Sequence, residues 1–154
     1  MKVKDIMIKR VVSISADTSA KIGMDLLQKM RISGLPVIDK NKKLLGMFTE
    51  KDILSYILPS YVGRVGRFIY EENPKSTRKK LSELENISVS QLMRKEVITA
   101  TEELALCEIA KIMLLQKARR IPVLDEAGRV VGIISRGDVL KAFAKEACSL
   151  KTGR

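Results

Sequence analysis

Two short apolar runs, VVSI at residues 11–14 and VITA at residues 97–100, are rich in β-branched residues and read as strands. Each is followed by a segment whose apolar residues recur at helical steps. In SAKIGMDLLQKMR, Ile22, Leu26 and Met30 stand four apart; in CEIAKIMLLQKA, Ile109, Ile112 and Met113 fall on one face. Next come LPVID leading to LLGMFT, and IPVLD leading to VVGIIS, strand pairs joined as hairpins by the polar turns KNKK and EAGR. A closing helical segment, EKDILSYIL or RGDVLKAFAKEA, completes a β-α-β-β-α unit that occurs twice.

The second unit is a copy of the first. A shift of 86 positions aligns residues 5–57 with 91–143 without a gap and pairs Met7 with Met93, Pro36 with Pro122, Asp39 with Asp125, Gly46 with Gly132 and Asp52 with Asp138. A three-stranded sheet of this size, covered by helices on one face, leaves its other face half bare. The expected fold class is therefore α+β, with tandem β-α-β-β-α repeats packed as one pseudo-twofold unit. The repeats span 1–58 and 89–147, residues 59–88 form an insertion, and 148–154 a flexible tail.

The insertion carries Tyr61, Phe68 and Tyr70 among Arg64, Arg67, Lys75, Arg78, Lys79 and Lys80. It is too apolar for a simple tether, and a helical or partly ordered segment is expected, with Ser76 capping a short helix through Leu84. The segment also admits nucleic-acid binding, with Arg64, Arg67, Arg78, Lys79 and Lys80 on phosphates and Tyr61, Phe68 or Tyr70 stacked on bases.

Composition narrows the function classes. The chain of 154 residues has no histidine, which removes imidazole as a general base and as a metal ligand. Its two cysteines, Cys107 and Cys148, have no metal-ligand spacing around them. No catalytic or metal site is expected. No apolar run reaches the eighteen or so residues of a membrane span, and the alternating start MKVKDIMIKR is unlike a secretory leader, so a cytoplasmic protein is expected. A net charge of +11 favours an anionic partner.

The repeated pattern Gly-x-x-(Thr/Ser)-x-x-Asp lies where the last strand of each copy meets its last helix. Gly46 and Gly132 stand inside apolar strands, as expected where another backbone or a ligand approaches closely. Thr49 and Ser135 open the helices, where unpaired N–H groups favour an anion. Asp52 and Asp138 follow one turn later and suit a vicinal diol such as ribose. The same spacing is also a helix capping box, in which hydroxyl and carboxylate satisfy each other's backbone N–H groups.

The order VVSI, amphipathic helix, GLPVID, LLGMFTEKDIL, repeated as VITA, amphipathic helix, RIPVLD, VVGIISRGDVL, resembles a tandem pair of CBS domains, the Bateman module. The resemblance covers the chain apart from the insertion and the tail. It implies a regulatory, non-catalytic module that binds an adenosine compound (AMP, ADP, ATP or S-adenosylmethionine) as a regulatory ligand rather than a required cofactor. It implies Asp52 and Asp138 on ribose, Thr49 and Ser135 on phosphate, and purine pockets lined by Val12, Ser13, Ile98 and Thr99. Basic residues before the Pro-Val strand hold phosphate in such relatives; the second copy has Arg119 and Arg120 there, and the first has Ser33 and Gly34. Arginine suits bidentate phosphate contact, although a solvated helix end would also place it there. A homodimer through residues 50–57 and 136–146 is implied as well, with signalling to a separate effector protein. A ligand-free assembly module is the remaining alternative.

Overall fold

The computed structural model describes residues 1–58 and 74–152. The elements in chain order are α1 (Val3–Ile6), β1 (Ile14–Ser15), α2 (Ala20–Met30), β2 (Gly34–Ile38), β3 (Leu44–Thr49), α3 (Glu50–Ile57), α4 (Pro74–Glu83), α5 (Val89–Leu92), β4 (Ala100–Thr101), α6 (Leu106–Leu115), β5 (Arg120–Leu124), β6 (Val130–Ser135) and α7 (Arg136–Thr152). They make two three-stranded sheets, β1-β2-β3 and β4-β5-β6. In each sheet the first two strands are parallel, Ile14 opposite Val37 and Ala100 opposite Val123, as a helical crossover between them requires. β5 and β6 run antiparallel, with Arg120 opposite Ser135. The hairpin turns carry matched positive φ angles, 63° at Lys42 and 80° at Gly128, and the chain leaves α2 and α6 through left-handed Arg31 and Lys117.

Two compact units result, and they do not follow the repeat boundaries. One comprises residues 1–12, 40–44 and 96–154; the other comprises 13–39 and 45–95. The leading segment of each repeat is docked in the unit built on the other repeat. In the first unit, Val3 N–H donates to the Leu104 carbonyl (2.8 Å), Lys4 N–H to that of Glu102 (3.1 Å), and Ile8 exchanges two bonds with Ile133. The second unit repeats the arrangement 86 residues later: Val89 N–H donates to Thr18 (2.8 Å), Ser90 to Ala16 (3.0 Å), and Arg94 exchanges two bonds with Met47. Val3 and Val89 are both fully buried. Lys2 and Lys4 add an ion pair each to Glu103, which pull its carboxyl from the usual range down to about 2.

The core of the first unit gathers Val3, Ala100, Leu106, Ile109, Met113, Ile121, Val123, Ile134 and Val139. That of the second buries Ile14, Ala20, Leu27, Leu35, Val37, Phe48, Ile53, Leu84 and Val89.

Several expectations change. Only Ile14–Ser15 and Ala100–Thr101 of the leading β-rich runs pair as strands; Val11–Ser13 and Val97–Thr99 precede them. The buried face of α2 is Ala20, Gly23 and Leu27, while Ile22 and Met30 are exposed. The cause is Phe48: a Cβ on Gly23 would sit 2.6 Å from its ring, so the helix turns its glycine to the sheet. In α6 the expected Ile109 and Met113 are buried and Ile112 packs beside them. Ser76 lies inside α4, which begins at Pro74, a residue suited to a first helical turn, and so does not cap it. The tail expected to be flexible from 148 is helical as far as Thr152.

Candidate functional site

Each Gly-x-x-(Thr/Ser)-x-x-Asp motif is a strand end running directly into a helix. β3 passes into α3 at Thr49, and β6 into α7 at Ser135. Asp52 Oδ2 accepts hydrogen bonds from Thr49 N–H (2.8 Å) and from the Thr49 hydroxyl (2.9 Å), while Asp52 N–H donates back to Thr49 Oγ1 (3.3 Å). Asp138 and Ser135 repeat the three bonds at 2.8, 2.8 and 3.2 Å. The capping box is thus formed in both copies. It is compatible with a ligand role, because both bonds that each aspartate accepts fall on Oδ2. The Oδ1 oxygens of the half-buried Asp52 and Asp138 accept no hydrogen bond among the described residues. A rigidly held carboxylate with a free oxygen is a good acceptor for ribose hydroxyls. The hydroxyls of Thr49 and Ser135 spend their single proton on the aspartate and so face a ligand as acceptors.

The residues before the Pro-Val strands belong to the same constellations. Arg136 N–H donates to the Arg119 carbonyl (3.1 Å), and Glu50 N–H donates to the Ser33 carbonyl (2.9 Å), tying each helix start to its neighbouring strand. The first unit therefore brings Arg119, Arg120, Ser135 and Asp138 together, Arg120 lying directly across the ladder from Ser135. Arg136 joins them, its Nε bonded to the Ala118 carbonyl at 3.0 Å. In the second unit Ser33 and Gly34 take these places beside Thr49 and Asp52.

Gly46 and Gly132 are small because the chain itself comes close. A Cβ on Gly46 would lie 2.6 Å from the Arg94 carbonyl and 3.0 Å from Met93 Sδ; one on Gly132 would lie 2.9 Å from Met7 Cγ. Of the two occupants the sequence allowed, another chain segment fills the space. The identity of Met7 and Met93 in the repeat alignment was the signal for that contact. Ile98 packs against the core of the first unit, and no hydrogen bond among the described residues joins Val12, Ser13, Ile98 or Thr99 to either motif.

Tyr61, Arg64, Arg67, Phe68 and Tyr70, central to a nucleic-acid surface, lie outside the described residues. On α4, Lys80 sits 4.6 Å over the Tyr56 ring, and the Tyr56 hydroxyl donates to Glu83 at 2.6 Å, which raises the tyrosine pKa. No helix among the described residues is long and apolar enough to cross a membrane, and no group of three acidic or cysteine side chains there could hold a metal.

The profile of the CBS domain matches residues 3–59 and 89–145. Protein MJ1426 of Methanocaldococcus jannaschii is 33% identical over 93% of this chain and 91% of its own length. An inosine-5'-monophosphate dehydrogenase of Aquifex aeolicus is 31% identical over 96% of this chain, which spans only 26% of that enzyme. Among solved structures, CBSX2 in complex with AMP superposes with a TM-score of 0.74 at 27% identity, covering 95% of this chain and 98% of that one. The CBS domain pair of protein MJ0100, in complex with 5'-methylthioadenosine and S-adenosyl-L-methionine, gives 0.68 at 25% identity, covering 95% and 98%.

Proposed function

We propose, for a chain that belongs to the CBS domain family through two copies of that domain, a non-catalytic regulatory role: it binds adenosine compounds at its two strand-to-helix motifs and signals their presence to a partner protein. The observation that carries this reading is the twofold occurrence of an aspartate fixed by its own capping hydroxyl, one carboxylate oxygen left for a ligand. The solved relatives that carry AMP, or 5'-methylthioadenosine and S-adenosyl-L-methionine, support the ligand class. In this reading Asp52 and Asp138 accept ribose hydroxyls, Arg119 and Arg120 hold phosphate, and Val12, Ser13, Ile98 and Thr99 line the purine. The role of Thr49 and Ser135 is to hold the aspartates, their single hydroxyl protons being donated to the carboxylates rather than to a phosphate. The adenosine compound is a regulatory ligand and no cofactor is required; the chain works in the cytoplasm.

The assembly we propose is a homodimer. α3 exposes Leu54 and α7 exposes its counterpart Leu140, the latter at 70%, and α6 adds Leu114 and Leu115. Side chains this apolar and this bare on helices suit a partner surface. Sedimentation of the chain at a dimer mass, lost on Leu54→Asp with Leu140→Asp, is the expected result.

Titration calorimetry with AMP, ADP, ATP and S-adenosylmethionine tests the ligand reading. A ligand at a hundredfold excess over its Kd raises the stability of the native state by about 2.7 kcal/mol, so thermal unfolding reports it independently. A folded chain that binds none of the four overturns the proposal.

A further inference from the structure

Resting on the ligand reading above, we propose that the two motifs select ligands by the charge of the 5' end: the Ser135–Asp138 motif takes an adenosine compound with a 5'-phosphate, and the Thr49–Asp52 motif takes one whose 5' end is neutral or positive. The first ground is the charge placed around each motif. Beside Ser135 stand Arg119, Arg120 and Arg136 against the single carboxylate of Asp138. Beside Thr49 stand Ser33 and Gly34, then Glu50, Lys51 and Asp52, so the stretch carries one lysine and two carboxylates. Equivalent positions even reverse sign, Arg136 in one copy being Glu50 in the other. Both residues are the first of their helix, and both send their N–H to the carbonyl before the Pro-Val strand, so the two charges occupy corresponding places. A phosphate brought to the Thr49 motif meets repulsion where its counterpart meets guanidinium.

The second ground is steric and independent of the first. A Cβ on Gly34 would stand 3.0 Å from Thr49 Cγ2 and 3.6 Å from Met47 Cε, so the threonine methyl occupies the space from which a side chain at position 34 would start. In the other copy the residue opposite Arg120 is Ser135, which has no such methyl. The pairs Gly34 with Thr49 and Arg120 with Ser135 are therefore alternatives: one closes the place of a phosphate-binding arginine with a methyl, the other opens it. The Thr49 motif retains the carboxylate that accepts a ribose diol and has Ser33 and Gly34 on the strand side, where the other motif has Arg119 and Arg120. It is built for a different ligand rather than being a degraded copy.

Asp138→Asn leaves the Thr49 motif as the intact one, and Asp52→Asn leaves the Ser135 motif. Calorimetry of each full-length variant with AMP, adenosine and S-adenosylmethionine separates the two. Hydrogen bonds to charged groups correspond to roughly tenfold or more in affinity each. The expected result is AMP binding at least about tenfold tighter than adenosine when the Ser135 motif is intact, with a steep loss in salt. When the Thr49 motif is intact, adenosine and S-adenosylmethionine bind tighter than AMP. The pair Gly34→Arg with Thr49→Ser, carried on a chain with Glu50→Arg, transplants the second motif's chemistry and should reverse that order. Circular dichroism shows which variants fold; if the Asn variants do not, two-site titration of the unmodified chain decides, by two ligand classes filling one site each without competing. AMP filling both motifs with equal affinity overturns the selectivity while leaving the ligand reading intact. Failure of all three compounds to bind the unmodified chain overturns the ligand reading itself.

Discussion

Residues at corresponding places in the two copies differ in compensating pairs, which shows what each place requires. Gly23 and Phe48 in one copy match Ile109 and Ile134 in the other. The phenyl ring occupies the volume a side chain on α2 would need, with Phe48 and Ile134 both fully buried. Gly23→Ile alone should overpack the sheet face and cost about 1–3 kcal/mol or prevent folding. Adding Phe48→Ile copies the other repeat, restores the volume and should recover most of the loss, a coupling that a double-mutant cycle in urea measures directly. Gly46 differs because its neighbour is the Arg94 carbonyl at 2.6 Å from a built Cβ, which is backbone and cannot rotate away. Gly46→Ala should therefore destabilise by about 1–3 kcal/mol with no single compensating substitution. Equal stability of Gly46→Ala and the unmodified chain in the same urea titration would contradict that account.

Helices and strands are where the sequence was most legible, and the reasons for its failures are specific. The β-α-β-β-α order, both hairpin turns and the two capping boxes follow from hydrophobic period and from short-range side-chain chemistry, which need no knowledge of distant contacts. The buried face of α2 was not legible, because Gly23 is silent in a hydrophobic count and its burial is decided by Phe48, 25 positions later on another element. For the site, Asp52 and Asp138 were legible as acceptors. The occupant of the space over Gly46 and Gly132 was not, since residues 7 and 93 reach those strands only in three dimensions. One element interaction has a pH signature. The Glu103 carboxyl, before α6, is drawn to about 2 by hydrogen bonds from Lys2 and Lys4. A depressed folded value means that the contribution is complete above the ordinary carboxylate range and disappears as pH falls through about 2. Glu103→Gln should flatten the fall of the thermal midpoint between pH ~4.5 and ~2. The effect is small and salt-sensitive because the side chains are exposed, and an unchanged acid slope in low salt would show that the lysines do not anchor the segment.

On the scale of the whole chain, the exchange of leading segments decides which stretch of sequence can fold. The repeats as written in the sequence are 3–59 and 89–145, yet each compact unit draws its first helix from the other repeat. A fragment of residues 1–58 lacks Leu84 and Val89, both fully buried in the unit it would form, and lacks the strand-like segment at Arg94 that bonds to Met47. It retains instead residues 1–12, whose docking partners Leu104, Glu102 and Ile133 are missing. Losing two buried aliphatic side chains at about 1.5–3 kcal/mol each is comparable to much of the stability of a small domain. A fragment of residues 13–95 keeps Ile14 through Arg94 and with them the whole hydrogen-bond set of its unit, including Ala20 N–H to Ile87 and Lys21 N–H to Leu84. Dispersed amide resonances and a cooperative thermal transition are therefore expected for 13–95, and neither for 1–58, although the shorter piece is the one the sequence repeat outlines. Cooperative unfolding of 1–58 at micromolar concentration would mean that the exchanged segments are ornaments on self-sufficient repeats, and that the buried valines contribute far less than their area implies.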